Sequence, residues 1–560
     1  MIKRNEILNY LLSDELKLAT VSGIVTTKPE IILQVSREWP IDIITTKSYT
    51  VLPRSGNEPP IIAELYPGCY VNAVGLSNPG LQKGVLELAE LRKHRLNSLL
   101  NISIAANSID DFIELAIAFE PYADMIELNL SCPHAGAGFG AAIGSDPELV
   151  FEYIKRIRAA TSCLLFAKLT PNTDKLRQVA LAAVSAGIDG ITAINTVGPI
   201  SVVEPYSKHP ILNNPQNNLG GMSGEWIKEI AIRCIADIRS VVPENIPIIG
   251  IGGVSKADDI RAMLNTGANV VGIGSALARV DVNKRGDYIK ALRNDILNNT
   301  DNASSYLRDS FFMNYKLYNV AWTKKANDEL VLLTLDKSLD CLPVQYAFLW
   351  VPGVGERPFS IATNDPLSFI IRKRGKVTSV LYNLKKGDEI YVRGPYGAEL
   401  ELPKPERVYI VAGGSGIAMV PLMAKWLYQN EKQVHVLISL KDPKEALLTE
   451  VIKKYSEINV ICDSNGKPGL INLMPIILRP YNPEELYFYN IGPNGFLKSV
   501  AELELQLGAL PENIMINYET ITKCGVGICG ECQRNGKLLC SEGYFISAKD
   551  FMLDRSSCAP

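Results

Sequence analysis

The chain has 560 residues, of which 47% are apolar and 21% charged, and a net charge of −3. That length predicts three or four domains, and the ordinary apolar content excludes a disordered chain. With no long basic run, neither a nucleic acid nor an anionic membrane is expected as partner.

The N-terminus, MIKRNEILNYLLSDELK, mixes charges and lacks an apolar signal core. No run of about 18 uncharged apolar residues follows, so no membrane span is expected and the cytoplasm is the expected location. Residues 1–300 alternate β-rich runs with amphipathic segments. The predicted strands include Ile41–Thr45, Met125–Leu130, Leu164–Leu169, Gly190–Ile194, Ile246–Ile251 and Val270–Ile273. Helical patterns lie at Glu148–Ala159, Lys175–Ala186 and Gly224–Val241. This rhythm predicts a (β/α)8 barrel, whose active-site loops gather at the C-terminal ends of the strands.

Polar motifs fall at those ends. Thr45-Thr46-Lys47-Ser48 places a lysine after one strand, and Asn72-Ala73-Val74-Gly75-Leu76 offers an amide and a run of backbone N–H groups. Asn129-Leu130-Ser131-Cys132-Pro133-His134 places a thiol on a loop, followed by a glycine-rich stretch, Gly136–Gly144, that can serve as a lid. A thiol, with an ordinary pKa of about 8.5, can act as a general base in mildly alkaline solution. A buried structural cysteine is the other reading of Cys132. Ala167-Lys168-Leu169 carries a second lysine, and Ile194-Asn195-Thr196 an amide and a hydroxyl. The glycine loops Gly220–Gly224, Gly250–Gly253 and Gly272–Ser275 come late, where such barrels bind phosphate. Two strand-end lysines beside phosphate-type loops point to flavin mononucleotide.

The polar run at 296–310 is expected to be a domain boundary or linker. Residues 311–402 read as short β segments with Gly and Pro turns, a small antiparallel β-barrel. There Arg357-Pro358-Phe359-Ser360 follows a strand; Arg can hold a flavin phosphate and Ser its ring. Residues 403–512 return to a βαβ pattern, an α/β nucleotide-binding domain. Its Ala412-Gly413-Gly414-Ser415-Gly416 turn can set a pyrophosphate at a helix start, and Gly492-Pro493 follows the later strand Leu486–Ile491.

Residues 513–560 are dominated by Cys524, Cys529, Cys532 and Cys540, spaced C-x4-C-x2-C-x7-C with Gly525, Gly527 and Gly530 between them. The first three match the plant-type ferredoxin spacing for a [2Fe–2S] cluster. Zinc is the alternative, but zinc ribbons show two separated C-x2-C pairs where this chain has one. Six further cysteines, apart from Cys132, are scattered singly and read as core residues.

The series RPFS, GPYG, AGGSG, GP and the cysteine cluster resembles the electron-transfer subunit of two-component dihydroorotate dehydrogenases, a ferredoxin-reductase-like module, across about 311–560. The resemblance implies FAD at Arg357, Pro358, Phe359, Ser360, Gly375 and Thr378. It implies NAD at Gly413, Gly414, Gly416, Gly492 and Pro493. The chain departs from that family in the short gap from Cys532 to Cys540 and in Ile491, where a cysteine often stands. Delivery of electrons to an acceptor other than NAD is the alternative.

Across about 40–280, TTKSYTVLPRSGN, NAVGLSNPG, NLSCPH, AKLTPN, ITAINTVGP, GGMSG and IGIGGV resemble, in order, the class 1 dihydroorotate dehydrogenases. By that resemblance Cys132 removes the C5 proton of dihydroorotate and FMN accepts the hydride from C6, a step of pyrimidine biosynthesis. Asn72, Asn129, Asn195 and Thr196 would hold the pyrimidine. Lys47 with the amides of Val74, Gly75 and Leu76 would hold its carboxylate. Lys47, Ser48, Lys168, Gly224, Gly252, Gly253, Gly274 and Ser275 would hold FMN. The electrons would then pass through [2Fe–2S] and FAD to NAD. His134 stands where that family has a second Asn. NLSCPH and FAKLTPN also resemble the flavin half of dihydropyrimidine dehydrogenases, which act on neutral rings and carry a Glu near the position of Val74. Barrels of this kind pair, so a homodimer or larger assembly is expected.

Overall fold

Eight short parallel strands close on themselves in the first half of the chain. In spatial order they are Leu18–Thr20, Val270–Ile273, Ile248–Ile251, Gly190–Ala193, Leu164–Leu169, Met125–Asn129, Leu99–Ile104 and Ile43–Thr45, and the last pairs back to the first at Ala19 and Ile43. These are features of a computed structural model that describes residues 4–130, 143–309, 313–462, 469–518 and 520–553. It divides into two units, Met1–Asn314 with Val526–Lys537, and Tyr315–Gly525 with Leu538–Pro560. The fold is multidomain, with a (β/α)8 barrel and further antiparallel and mixed sheets.

The barrel strands are apolar on both faces because helices cover the outside and side chains fill the inside. Leu164–Leu169, for example, is buried throughout. At the N-terminal end, Ile7 and Leu11 of helix Arg4–Leu12 pack with Leu99, Met125, Leu164 and Val270 and plug the barrel. The opposite end is left for the loops. A four-stranded antiparallel sheet, ordered Ile62–Tyr66, Cys69–Asn72, Leu219–Gly224 and Val197–Ser201, rises from those loops.

The polar run from 296 starts within a helix and continues around a buried acid. Helix Arg285–Asn298 extends into it, and the chain then folds around the buried Asp295. That carboxylate accepts from Thr300 Oγ1 at 2.5 Å, Asn302 Nδ2 at 2.9 Å and Ala303 N at 2.7 Å. A buried acid needs such partners, so these polar residues serve one another rather than solvent.

In the second unit, seven antiparallel strands run in the order Gly355–Ser360, Tyr346–Val351, Glu389–Tyr396, Lys316–Lys325, Leu330–Leu335, Leu367–Arg372, Thr363–Asn364. The long strand Lys316–Lys325 pairs with Glu389–Tyr396 through its first half and with Leu330–Leu335 through its second, with an irregularity between Val320 and Trp322. Such a break bends a strand and lets one sheet wrap a core. The six-stranded sheet that follows has the order Glu457–Cys462, Gln433–Leu440, Arg407–Gly413, Leu486–Ile491, Ile514–Asn517, Phe545–Ser547. All its pairings are parallel except the last.

Glu504, on helix Asn494–Gln506, is wholly buried in this unit and accepts from Asn490 Nδ2 at 2.7 Å. Burial holds its carboxyl well above the ordinary value of 4.5. Above pH 4.5 the unfolded chain sheds this proton while the folded chain keeps it, so stability falls as pH rises toward the folded value. Glu504→Gln is therefore expected to stabilise the protein by on the order of 1–2 kcal/mol at pH 8. Urea denaturation should show the gain shrinking toward zero near pH 4, and an equal effect at both ends would refute the assignment.

Candidate active site

The strand ends of the barrel bring a ring of polar side chains together. Ser48 Oγ lies 2.8 Å from Ser103 Oγ and 3.3 Å from Ser22 Oγ, and it accepts from Asn129 Nδ2 at 3.1 Å. Asn195 Nδ2 donates to Asn129 Oδ1 at 3.4 Å, while Asn195 Oδ1 accepts from Thr196 N at 2.9 Å. Ser103 Oγ donates to Glu127 Oε1 at 3.3 Å, and the Lys168 ammonium stands 3.7 Å from the same oxygen. Lys168 and Glu127 are 6% and 2% exposed, so each charge relies on the other rather than on water. Four residues expected at the site, Ser48, Lys168, Asn129 and Asn195, thus belong to one hydrogen-bonded group. Ser22, Ser103 and Glu127 were not singled out from sequence, although a Ser and a Glu inside fully buried strands were a legible signal.

The turn after Asn72 has its carbonyls engaged by side chains and backbone. Gly75 and Leu76 have φ of +80° and +54°. The carbonyls of Ala73, Val74, Gly75 and Leu76 are taken by Asn57 Nδ2, Asn57 N, Arg54 Nε and Asn78 Nδ2 at 2.8, 2.9, 3.3 and 2.8 Å. In a trans peptide the N–H points opposite the carbonyl, so the N–H groups of Val74, Gly75 and Leu76 face away from those partners in a row. Asn72 itself donates to Gly221 O at 3.4 Å.

Lys47 is not open to solvent: its side chain is 13% exposed and its ammonium meets Glu531 Oε1 at 3.3 Å. Ser77 Oγ donates to the same oxygen at 2.6 Å. Burial pulls the Lys47 ammonium below its ordinary value, while Glu531 and then Cys529 pull it back up. Glu531 escaped the sequence reading, since nothing local distinguishes it from any polar residue between two cysteines.

Gly252-Gly253 and Gly274-Ser275 follow adjacent barrel strands, paired at Ile251 and Gly272, so the two loops are neighbours. Gly224 has φ +98°, and a Cβ there would lie 1.9 Å from Gly68 O; only glycine fits. The buried Thr192 Oγ1 and Asn101 Oδ1 of the barrel strands have no hydrogen-bond partner among the described residues. An ammonium, amides, hydroxyls and two bare glycine loops at one barrel mouth are a donor set that fits a flavin phosphate and its ring edge. Cys132, His134 and most of the Gly136–Gly144 stretch lie outside the described residues.

In the second unit, Arg357, Pro358, Phe359 and Ser360 line one half-buried strand paired with Tyr346–Val351. Thr378 Oγ1 accepts from the backbone N–H of Gly375 at 2.8 Å at the start of helix Lys376–Asn383, and no atom crowds Gly375. The Gly413-Gly414-Ser415-Gly416 turn and Gly492-Pro493 follow neighbouring parallel strands, and a Cβ on Gly416 would meet Ile491 O at 2.7 Å. These strands flank the point where strand order reverses, the usual crevice for a nucleotide.

Cys524, Cys529, Cys532 and Cys540 are all buried and free of disulfides. Cys529 and Cys532 fall in the first unit, Cys524 and Cys540 in the second. Among the described residues no three His, Cys, Asp or Glu side chains converge as a metal site. Four buried thiols remain, by type, a donor set for iron–sulfur chemistry. Gly525, Gly527 and Gly530 all have positive φ, and a Cβ on Gly530 would lie 1.6 Å from Thr27 Oγ1. No helix among the described residues is long and apolar enough to cross a membrane.

Residues 18–294 match the dihydroorotate dehydrogenase family. The chain is 41% identical over 260 residues to the catalytic subunit of dihydroorotate dehydrogenase B (NAD+) of Pyrococcus abyssi, covering 46% of this chain and 83% of that protein. The same subunit of Pyrococcus horikoshii is 39% identical over 278 residues, covering 50% and 88%. A solved NADH-dependent reduced ferredoxin–NADP oxidoreductase aligns with TM-score 0.38 and 21% identity over 42% of this chain and 89% of its own, a likeness too slight to carry an argument.

Proposed function

The chain belongs to the dihydroorotate dehydrogenase family of oxidoreductases, and we propose that it oxidises dihydroorotate to orotate in pyrimidine biosynthesis. The observation that carries this reading is the barrel mouth. There the Lys168–Glu127–Ser103–Ser48–Asn129–Asn195 group and the ammonium of Lys47 lie at or just past the strand ends, and the turned amides of Val74–Leu76 follow the strand Cys69–Asn72 of the sheet that rises from the same loops.

Bound FMN would supply the two-electron acceptor, with Lys168, Ser48, Gly224, Gly252, Gly253, Gly274 and Ser275 around it. The chain's own residues would do the rest. Asn129 and Asn195, already fixed to one another, present amide groups to the ring of the pyrimidine. The Val74, Gly75 and Leu76 N–H groups and the Lys47 ammonium would take its carboxylate, an anchoring worth more in a water-poor site than in solution. Cys132 is the proposed base for the C5 proton, three residues beyond Asn129 at the end of its strand. In the second unit we assign FAD to the Arg357–Ser360 strand with Gly375 and Thr378. NAD goes to the glycine turn with Gly492-Pro493, and a [2Fe–2S] cluster to the four cysteines.

A neutral dihydropyrimidine is the competing substrate, and one observation favours it. The carboxylate of Glu531, on Ser77 and Lys47, already offsets the ammonium that an anionic ring would need. Anaerobic mixing separates the two. Dihydroorotate is expected to bleach the flavin absorbance and dihydrouracil to leave it unchanged. Bleaching by dihydrouracil alone would overturn the dihydroorotate reading. Bleaching by NADH in the same cell tests the assigned route to NAD.

A further inference from the structure

A protein carboxylate already sits where the anion donors converge. Glu531 Oε1 takes the Lys47 ammonium at 3.3 Å and the Ser77 hydroxyl at 2.6 Å, and Ser77 directly follows the turned amides of Val74–Leu76. Glu531 is held there by its own backbone. Ile528 O accepts from Val25 N at 3.0 Å. The carbonyls of Gly527 and Val526 accept from the buried Arg285 guanidinium at 2.7 and 3.0 Å. Gly530, with φ +71°, lies tight against Thr27. A segment pinned at these points just before residue 531 keeps its backbone in place, so the carboxylate rests at the barrel mouth and only its side chain has to move to vacate it.

We propose that Glu531 is a specificity-determining residue that occupies the anion place on Lys47 between turnovers and yields it to the carboxylate of an incoming anionic pyrimidine. This rests on the dihydroorotate reading. Two carboxylates beside one ammonium repel, so an anionic ligand must displace Glu531, whereas a neutral ring meets no such competitor. Glu531 therefore weakens binding of the anion and leaves a neutral pyrimidine untouched. By linkage, an anion in the site loosens the hold of Lys47 on the 526–537 segment to the same degree.

The test is calorimetric titration of the flavin-loaded protein with orotate and with uracil. Glu531→Gln keeps the shape of the side chain and removes its charge. It is expected to tighten orotate about three- to tenfold and to shift uracil by less than about twofold. Ser77→Ala, which loosens Glu531 without touching the cysteine segment, should tighten orotate in the same direction by a smaller factor. If wild type binds orotate and Glu531→Gln binds it equally or more weakly, Glu531 is not the competitor, while the dihydroorotate reading stands. If wild type binds uracil and ignores orotate, that reading falls and this proposal with it.

Discussion

Cys132→Ser should slow flavin reduction by dihydroorotate about 100- to 10,000-fold near neutral pH, the usual worth of a positioned general base. A serine hydroxyl holds its proton far more tightly than a thiol, whose ordinary value is about 8.5. The wild-type rate should therefore climb with pH and level off near the thiol's value, whereas the serine variant should keep climbing beyond it. Orotate affinity should change by no more than a few-fold, because the carboxylate and ring contacts are assigned in our proposal to Lys47, Asn129, Asn195 and the 74–76 turn. Stopped-flow absorbance at several pH values measures both. A serine variant that reduces its flavin at the wild-type rate would remove Cys132 from the chemistry. The expectation leans on Asn129, whose place in the polar ring fixes where the chain leaves its strand for the cysteine loop.

The largest stability effect is expected from Glu356→Ala. Arg393 and Glu356 are 1% and 0% exposed and meet through two bonds, Nε to Oε2 at 2.8 Å and Nη2 to Oε1 at 2.7 Å. Tyr315 donates to Glu356 Oε2 at 2.6 Å, and the guanidinium stacks 3.7 Å above the ring of Phe348. Arg393 Nη1 also donates to Tyr396 Oη and to the carbonyl of Cys524, each at 3.0 Å. Removing the acid leaves a buried cation with no counter-charge, at a cost of about 3–5 kcal/mol. For a unit of this size that is on the order of a 10 °C loss in Tm. Glu356→Gln, which keeps part of the hydrogen bonding, should fall between. Because Arg393 grips Cys524, the alanine variant should also lose visible absorbance from any bound cluster faster on warming. A change within about 0.5 kcal/mol would show that this pair contributes little.

Much of the barrel was legible because periodicity reports burial. A strand covered on both faces must be apolar throughout, so Leu164–Leu169 declared itself, and helices with one apolar stripe lay between such runs. The strand ends were legible for the same reason: polar residues interrupting an apolar run, as at Lys168 and Asn129, have to face the mouth. The parallel sheet of the second unit announced itself by a strand followed at once by glycines, and the neighbouring Gly492-Pro493 by the next parallel strand. In the polar stretch after residue 296, composition does not distinguish residues that face water from residues that satisfy one buried acid, here Asp295.

The amino-acid sequence by itself determined most of the barrel's strand–helix alternation, the polar residues that close several of its strands and the cysteine spacing, because each is a local pattern set by burial or by ligand reach. Only the tertiary structure decided that Glu531 lies against Lys47 and Ser77, residues 484 and 454 positions away. It alone paired Glu356 with Arg393 and gathered Ser103 and Glu127 beneath Lys168. A charge finds its counter-charge through space, and no spacing along the chain records which distant carboxylate folding will bring to a buried cation.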